Sequence, residues 1–528
     1  MKKILALFLA LFSIAMFSQE HAWVYFKDKP GEATYLANPL TMLSQRAIDR
    51  RNRQNISLDY KDVPIFVDYI NQVDAQSGVE VKAKSKWLNA VHIIGMEVAV
   101  NNLTNLSFVD HIEFAASGLN LKSESETKHI SKFEELTDYN YGSSENQVAQ
   151  LGVDFLHQND FTGDGIQIAV IDAGFPNVDT FAAFEKIRAN NQILGGYNFV
   201  ARSNNFYTSN RHGMSVLSTI AGFVDGELVG TAPDASFYLF ITEDVTSETP
   251  LEESLWVEAA EKADSLGVDI INTSLGYHTF DEAKYNHDYS KMDGNSLFVT
   301  RGANIAVSRG MIVVIAAGND GNNAIFNHIG VPSNATSVLA VGAVDENNMM
   351  ASFSSYGPTI DGRIKPDIDA KGYRTTVVNT AGNVATGNGT SYAAPVMTGA
   401  IASFWQAFPY KTNLEIIQMV KESAHLYHNP TNHAGYGTPN FRAAYEKEIS
   451  IDDLSVYPNP TKGEVLFRYD SSYKSGNVYV YDLLGKLLMD YDLSSSVSLN
   501  LNNFEKGIYF LHFNSKFGDP KVFKIIKK

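Results

Sequence analysis

Three polar side chains, far apart in the chain, are of the types that acyl transfer needs: Asp172 at the end of the apolar run IQIAVID, His212 at the head of HGMSVLSTIAG, and Ser391 in TGNGTSYAAPVMTGA. A serine hydroxyl is a poor nucleophile at its own pKa and needs a base to take its proton. Imidazole titrates near neutrality and can serve, while a carboxylate behind it fixes the tautomer and stabilises the imidazolium. Asn319, in VVIAAGND, adds a side-chain amide able to bond a developing oxyanion opposite the backbone N–H of Ser391. Each residue also has a plainer reading. Ser391 ahead of small residues suits a helix N-cap, and Asp172 and Asn319 suit turns after strands. Only their arrangement together selects chemistry.

Such an arrangement needs a scaffold, and the text from about Val148 to Lys447 supplies one. IQIAVID, SFYLFI, VDIINTS, MIVVIAAG and VLAVGAVD are apolar runs without clean alternation, as expected of parallel strands covered on both faces. Between two of them, TPLEESLWVEAAEKADSLG predicts a helix with a capping box in Thr249 and Glu252, Pro250 in the first turn and Gly267 as its stop. Leu255, Ala259, Ala263 and Leu266 fall on one face of it. The segment reads as α/β with a doubly wound parallel sheet. Functional sites in such sheets lie at the carboxyl ends of the strands, where Asp172 falls. Gly213, Ser215, Ser218, Ala221 and Gly222 after His212 predict a closely packed helix.

In chain order, VIDAG, HGMSVLSTIAG, INTSLG, IAAGN, FSSYGP and GTSYAAP resemble the signature segments of the subtilisin-like serine peptidases. The resemblance implies Asp172, His212 and Ser391 as a triad, in the order already known for subtilisin, and Asn319 as the oxyanion donor. It further implies that Ser274, Leu275 and Gly276, with Ala316, Ala317 and Gly318, line the first specificity pocket and pair with an extended protein or peptide substrate. The implied activity is serine endopeptidase chemistry through an acyl-enzyme, with no cofactor required for catalysis. The reading from another class is a cell-surface binding protein that retains an inactive peptidase scaffold. Three positions depart from the family pattern: Ala173 and Met214 stand where Thr is usual, and Tyr392 where Met is usual. None removes a triad atom. Relatives often hold structural Ca2+, and Asp281, Asp288 and Asp293 in HTFDEAKYNHDYSKMDGN are the oxygen donors for one here, although a solvated loop is the plainer reading.

The remaining text frames this middle domain. Lys+Arg of 42 against Asp+Glu of 59 leave a net charge of −17 over 528 residues, which repels phosphate backbones and argues against a nucleic-acid partner. Cysteine is absent, so thiol catalysis and disulfides are excluded. MKKILALFLALFSIAMFSQEHA reads as a signal peptide over residues 1–18, and no other run reaches spanning length, so no stable transmembrane anchor is expected. Residues 19–116 mix strands (AWVYF, VEVKA, AVHII) with helices (LTMLSQRAIDRRNR, FVDYINQVDAQSG) in an α+β, ferredoxin-like unit that resembles an inhibitory prodomain. Residues 117–147 read as a polar linker holding the maturation site. Residues 451–528 alternate as a small antiparallel β-sandwich. Tyr457, Pro458, Asn459, Pro460, Gly485, Gly507, Tyr509, Lys524, Lys527 and Lys528 make this tail resemble the C-terminal sorting domain of the type IX secretion system of Bacteroidota. That resemblance implies passage through the periplasm to the outside or the outer cell surface.

Overall fold

The computed structural model of the protein describes residues 19–116, 139–448, 454–469, 476–493, 498–514 and 520–528. The expected signal peptide, and the part of the expected linker that spans 117–138, lie outside the described residues. Four N-terminal strands, β1 (Gln19–Phe26), β2 (Val79–Ser85), β3 (Ala90–Met96) and β4 (Val109–Phe114), form an antiparallel sheet in the order β2-β3-β1-β4. Helices α1 (Gln45–Arg53) and α2 (Val67–Asp74) lie between β1 and β2, and α3 (Glu97–Asn102) joins β3 to β4. This is the ferredoxin-like arrangement. The two-residue period of β1 gives it two apolar faces. Ala22, Val24 and Phe26 join Val73 and Val100 in one core, while Trp23 and Tyr25 join a core shared with the next domain.

That domain is built on β5 (Gln167–Asp172), β6 (Ile193–Asn198), β7 (Ser236–Ile241), β8 (Ile270–Thr273), β9 (Ile312–Ala316), β10 (Leu339–Val344) and β11 (Ile368–Lys371). They form one parallel sheet in the order β11-β10-β9-β8-β5-β7-β6. Its helices include α4 (His212–Ala221), α5 (Leu251–Leu266), α6 (Phe298–Ser308) and α7 (Thr390–Ala407). On one face Ile168 and Val170 of β5 join the core with Val216 of α4 and Met397 of α7. On the other, Ala169 and Ile171 join Trp256 of α5 and Val299 of α6. Helices therefore cover both faces, which is why the strands read as continuous apolar runs.

The N-terminal sheet lies against α5 and α6. Trp23 stacks on Phe298 with ring centroids 4.6 Å apart. Arg50 and Arg51 of α1 both reach the buried carboxylate of Asp264, Arg51 at 2.8 Å. Glu261 accepts from the Ser85 hydroxyl at 2.6 Å and from the Lys86 and Trp87 amides at 3.0 and 2.9 Å. Buried charge is costly unless paired, so this polar lattice fixes how the two domains dock.

The peptidase-side domain begins earlier than the sequence suggests. Tyr141 bonds His157 Nδ1 at 2.9 Å, Ser144 Oγ donates to the Val229 carbonyl at 3.1 Å, and Gln147 Nε2 to that of Thr376 at 3.2 Å. Residues 139–147, read as linker from their polarity, are thus packed: their polar groups find partners inside the fold rather than in water. Helix α5 also differs in detail. Pro250 is its N-cap rather than a first-turn residue, and only half of the expected capping box forms, the Thr249 amide donating to Glu252 at 3.0 Å. Gly267 ends it with φ 86°.

The tail forms two antiparallel sheets. Leu454–Tyr457, Glu464–Tyr469 and Ser498–Asn500 make one, and Asn477–Tyr481, Leu487–Asp492, Gly507–Asn514 and Lys521–Lys527 the other. Val465, Phe467, Val480, Leu511 and Phe513 share the core of this sandwich. No described helix is long and apolar enough to cross a membrane.

Candidate active site

Asp172 is the last residue of β5 and is fully buried, while the His212 side chain at the start of α4 is 31% exposed. Their contact is direct: His212 Nδ1 lies 2.7 Å from Asp172 Oδ1. Gly213 makes this approach possible, since a Cβ there would sit 2.8 Å from the Cβ of Asp172. Asp172 Oδ1 also accepts from the Ala173 amide at 2.7 Å. With Nδ1 donating to a carboxylate, the lone pair of the neutral ring is on Nε2. Burial disfavours the charged ring, but the attraction and hydrogen bond of Asp172 outweigh it and raise the His212 pKa above its ordinary value.

Ser391 is the second residue of α7, so it is not the N-cap that its local sequence suggests. Gly389 takes the cap position with φ 149° and ψ 150°, a conformation suited to glycine. A serine inside the first turn keeps its own N–H free of an intrahelical acceptor. Asn319 follows β9 in the turn after Gly318, and its Oδ1 accepts from the Thr390 amide at 2.9 Å and hydroxyl at 3.1 Å. With the oxygen held, the Nδ2 end is the donor left over. A Cβ added at Gly389 would lie 3.6 Å from the Ser391 nitrogen and 3.7 Å from Asn319 Nδ2, so these two N–H donors stand close together beside Ser391, and a pair of donors is what an oxyanion requires.

The proposed substrate residues sit at the same sheet edge. Ser274, Leu275 and Gly276 follow β8, and Ala316, Ala317 and Gly318 span the end of β9. Leu275 is half-buried and Gly276 exposed, whereas Ser274, Ala316 and Ala317 are buried. A peptide strand therefore has open backbone at 275–276 to meet.

The structure does not bring the expected calcium ligands together. Asp281 accepts from the Glu248 amide at 3.0 Å, Asp288 from Ser290 at 2.8 Å, and Asp293 from Asn295 and Ser296 at 2.9 and 2.8 Å. Asp288 and Asp293 each stabilise their own turn, and Asp281 ties this loop to the one that holds Glu248. Among the described residues no group of three such side chains is arranged to hold a metal ion, so these aspartates do not fit a calcium site. Other residues at the site escaped the sequence reading. Thr390 holds Asn319, and Glu243 and Tyr277 bond each other at 2.8 Å at the same end of the sheet as Asp172. A hydroxyl next to the serine was the available signal for Thr390; Glu243 and Tyr277 left none, because their contact spans two strands.

The family model for the subtilases matches residues 163–437, which contain all four residues of this arrangement. The chain belongs to the subtilase family. Among its curated relatives, Subtilisin NAT of Bacillus subtilis subsp. natto is 29% identical over 374 residues, covering 70% of this chain and 84% of the relative. Subtilisin BL of Lederbergia lenta is 30% identical over 298 residues, covering 56% of this chain and 97% of the relative. The flanks match too. Residues 21–132 match the Bacteroidota peptidase S8 propeptide domain, and residues 455–528 the secretion system C-terminal sorting domain. This subtilase is therefore a serine-type peptidase with a propeptide, and its tail marks it as secreted or cell-surface.

Proposed function

We propose that this subtilase is an endopeptidase that cleaves protein substrates with Asp172, His212 and Ser391 as its triad and Asn319 as oxyanion donor. A substrate strand pairs with the backbone at Ser274–Gly276 and places its carbonyl over Ser391. His212 Nε2 takes the hydroxyl proton as Oγ attacks, and Asp172 stabilises the imidazolium so formed. The oxyanion sits between the Ser391 N–H and Asn319 Nδ2. His212 then gives the proton to the leaving amine and the peptide acyl group stays on Ser391 as an ester; water, deprotonated by the same base, attacks that ester and releases the acid as the proton returns to the Ser391 oxygen. In the full chain the Ser391 hydroxyl donates to the Ser274 carbonyl at 3.2 Å, so a turn about its side-chain bond precedes attack. Catalytic hydrogen bonds commonly tighten only when substrate is bound.

The N-terminal domain holds the enzyme as a zymogen, gripping α5 and α6 until the segment between 117 and 138 is cut. The single observation that carries the catalytic reading is the 2.7 Å contact of His212 with a fully buried Asp172 at the carboxyl end of the sheet, to which Ser274 also ties the first turn of α7 with Ser391. Casein hydrolysis by the matured, secreted protein tests it. Turnover that disappears in His212→Ala supports the reading, and a folded, processed wild type without turnover contradicts it.

A further inference from the structure

Strand β5 ends at Asp172 between β8 on one side and β7 on the other. From β7, Ile241 pairs with Asp172, and the Thr242 amide donates to the Asp172 carbonyl at 3.3 Å, which sets Glu243 at the same carboxyl edge. From beyond β8, the fully buried Tyr277 donates its hydroxyl to Glu243 Oε1 at 2.8 Å. A bond between the extension of β7 and the extension of β8 has to cross the end of the strand between them. The Glu243 carboxyl is thereby strapped across the end of β5, where Asp172 stands. The Thr242 hydroxyl adds a second bond, at 2.7 Å, to the same oxygen.

Asp172 has room for such a neighbour. Its Oδ1 serves both His212 and the Ala173 amide, while Oδ2 is buried and takes no protein donor. No lysine or arginine among the described residues forms an ion pair with Glu243. The groups that act on it are Asp172 from β5, Tyr277 from the segment after β8, Glu248 from its own loop and Glu252 from α5. Glu252 is engaged elsewhere, accepting from the Asp244 and Thr249 amides at 2.8 and 3.0 Å. On the histidine side the charged neighbours are Asp172, Arg211 and Glu243.

We infer that Glu243 is a positioning residue for the catalytic pair: it sets a second carboxyl beside Asp172, so that two acids rather than one govern the protonation of His212. Burial supports this by lifting the Glu243 pKa to about 7 against the pull of the Thr242 and Tyr277 hydroxyls, while that of His212 is raised above its ordinary 6.5. Once ionised, it favours the imidazolium and delays the appearance of the free base as pH rises. The enzyme is then held back on the acid side of neutrality. This inference rests on the peptidase reading of Asp172, His212 and Ser391.

Two readouts test it. In the full chain with 13C-labelled histidine, the His212 resonance, assigned by its loss in His212→Gln, is titrated by NMR. In the matured enzyme the acid limb of kcat/KM is followed, each variant normalised to its own plateau. Glu243→Gln keeps an acceptor for Tyr277 and removes the charge. It should lower the His212 pKa and the limb together by roughly half a unit or more, so that one unit below the limb it retains about threefold more of its plateau rate than wild type does. Glu243→Asp should restore part of the shift, and Tyr277→Phe, which frees the strap, should move the limb the same way by less. An unmoved His212 titration in Glu243→Gln overturns the inference, as does a matching loss of rate at every pH. A wild type that fails to turn over substrate sinks the peptidase reading instead, and the NMR comparison still decides the role of Glu243.

Discussion

Ser274 and Ser391 exchange two hydrogen bonds: Ser274 Oγ donates to the Ser391 carbonyl at 2.9 Å, and Ser391 Oγ donates to the Ser274 carbonyl at 3.2 Å. The first has a reason in the sequence. Pro395, four residues after Ser391 inside α7, has no N–H to give, so the Ser391 carbonyl loses its helical partner. Ser274 replaces that donor and ties the first turn of α7 to the substrate edge after β8. Ser274→Ala should leave a poorly solvated carbonyl and cost about 1–3 kcal/mol, read by urea unfolding. No loss of stability would separate Ser274 from the support of the nucleophile.

Asn319 should matter to rate far more than to folding. Its Oδ1 is held by the Thr390 amide and hydroxyl, which leaves the Nδ2 end to donate. Asn319→Ala should lower kcat roughly a hundred- to a thousandfold with little change in KM, a magnitude already measured within this family. Thr390→Val, which removes the hydroxyl that orients the amide, should fall between that variant and wild type. Steady-state kinetics on a peptide ester check both.

The pH profile follows from His212. Its pKa is raised above 6.5 because the attraction of Asp172 outweighs the opposing effect of burial, and only the neutral ring can act as base. Thus kcat/KM should fall as pH drops through a value above 6.5 and be full above it. Asp172→Asn removes the attraction and leaves the burial, so the histidine titration should move down, as histidine NMR can record. A titration that stays in place or rises would contradict the assignment of the pair.

The hold of the N-terminal domain should depend on Asp264. Among the described residues, Asp264→Ala takes the only carboxylate from the buried Arg50 and leaves Arg51 to Asp62 alone, and should cost about 3–5 kcal/mol, seen as earlier unfolding and poor maturation. The same contact should loosen in acid. His21 Nδ1 lies 2.9 Å from His92 Nε2, and burial depresses the His21 pKa to about 4 despite Glu20 and Glu282 nearby. A base with a depressed pKa contributes fully above its ordinary 6.5 and loses that contribution as pH falls toward about 4. Glu261, raised by burial to about 7, titrates in the opposite sense, contributing below about 4.5 and less as pH rises through 7. Glu261→Gln should therefore steepen the acid-side loss, measured as accessibility of the interface to hydrogen exchange.

Much of this was legible in the sequence, and the reasons differ by residue. Continuous apolar runs revealed the parallel strands because both faces of that sheet are covered, and strand ends then located Asp172 and Asn319. The order of Asp172, His212 and Ser391 was readable because each stands at a strand end or helix start. The cap reading of Ser391 failed since Gly389 supplies a backbone conformation that composition does not encode. The linker was read too long because Ser144 and Gln147 are polar yet buried, and polarity in one dimension says nothing of a partner two hundred residues away. The carboxylates of the Asp281 to Asp293 loop resemble metal ligands in sequence, but each is taken by a backbone amide, Asp288 and Asp293 within their own turns and Asp281 across to Glu248. Glu243 and Tyr277 meet only across the end of a strand, a relation set by sheet order.

The central claim is that Ser391 is an activated nucleophile. Labelling of the matured protein with a fluorophosphonate probe, followed by mass spectrometry of the modified peptide, tests it most directly. The account predicts one adduct, on Ser391, that disappears in Ser391→Ala and is strongly slowed in His212→Ala. Absence of labelling in a folded, processed wild type, or an adduct that persists in Ser391→Ala, would contradict it.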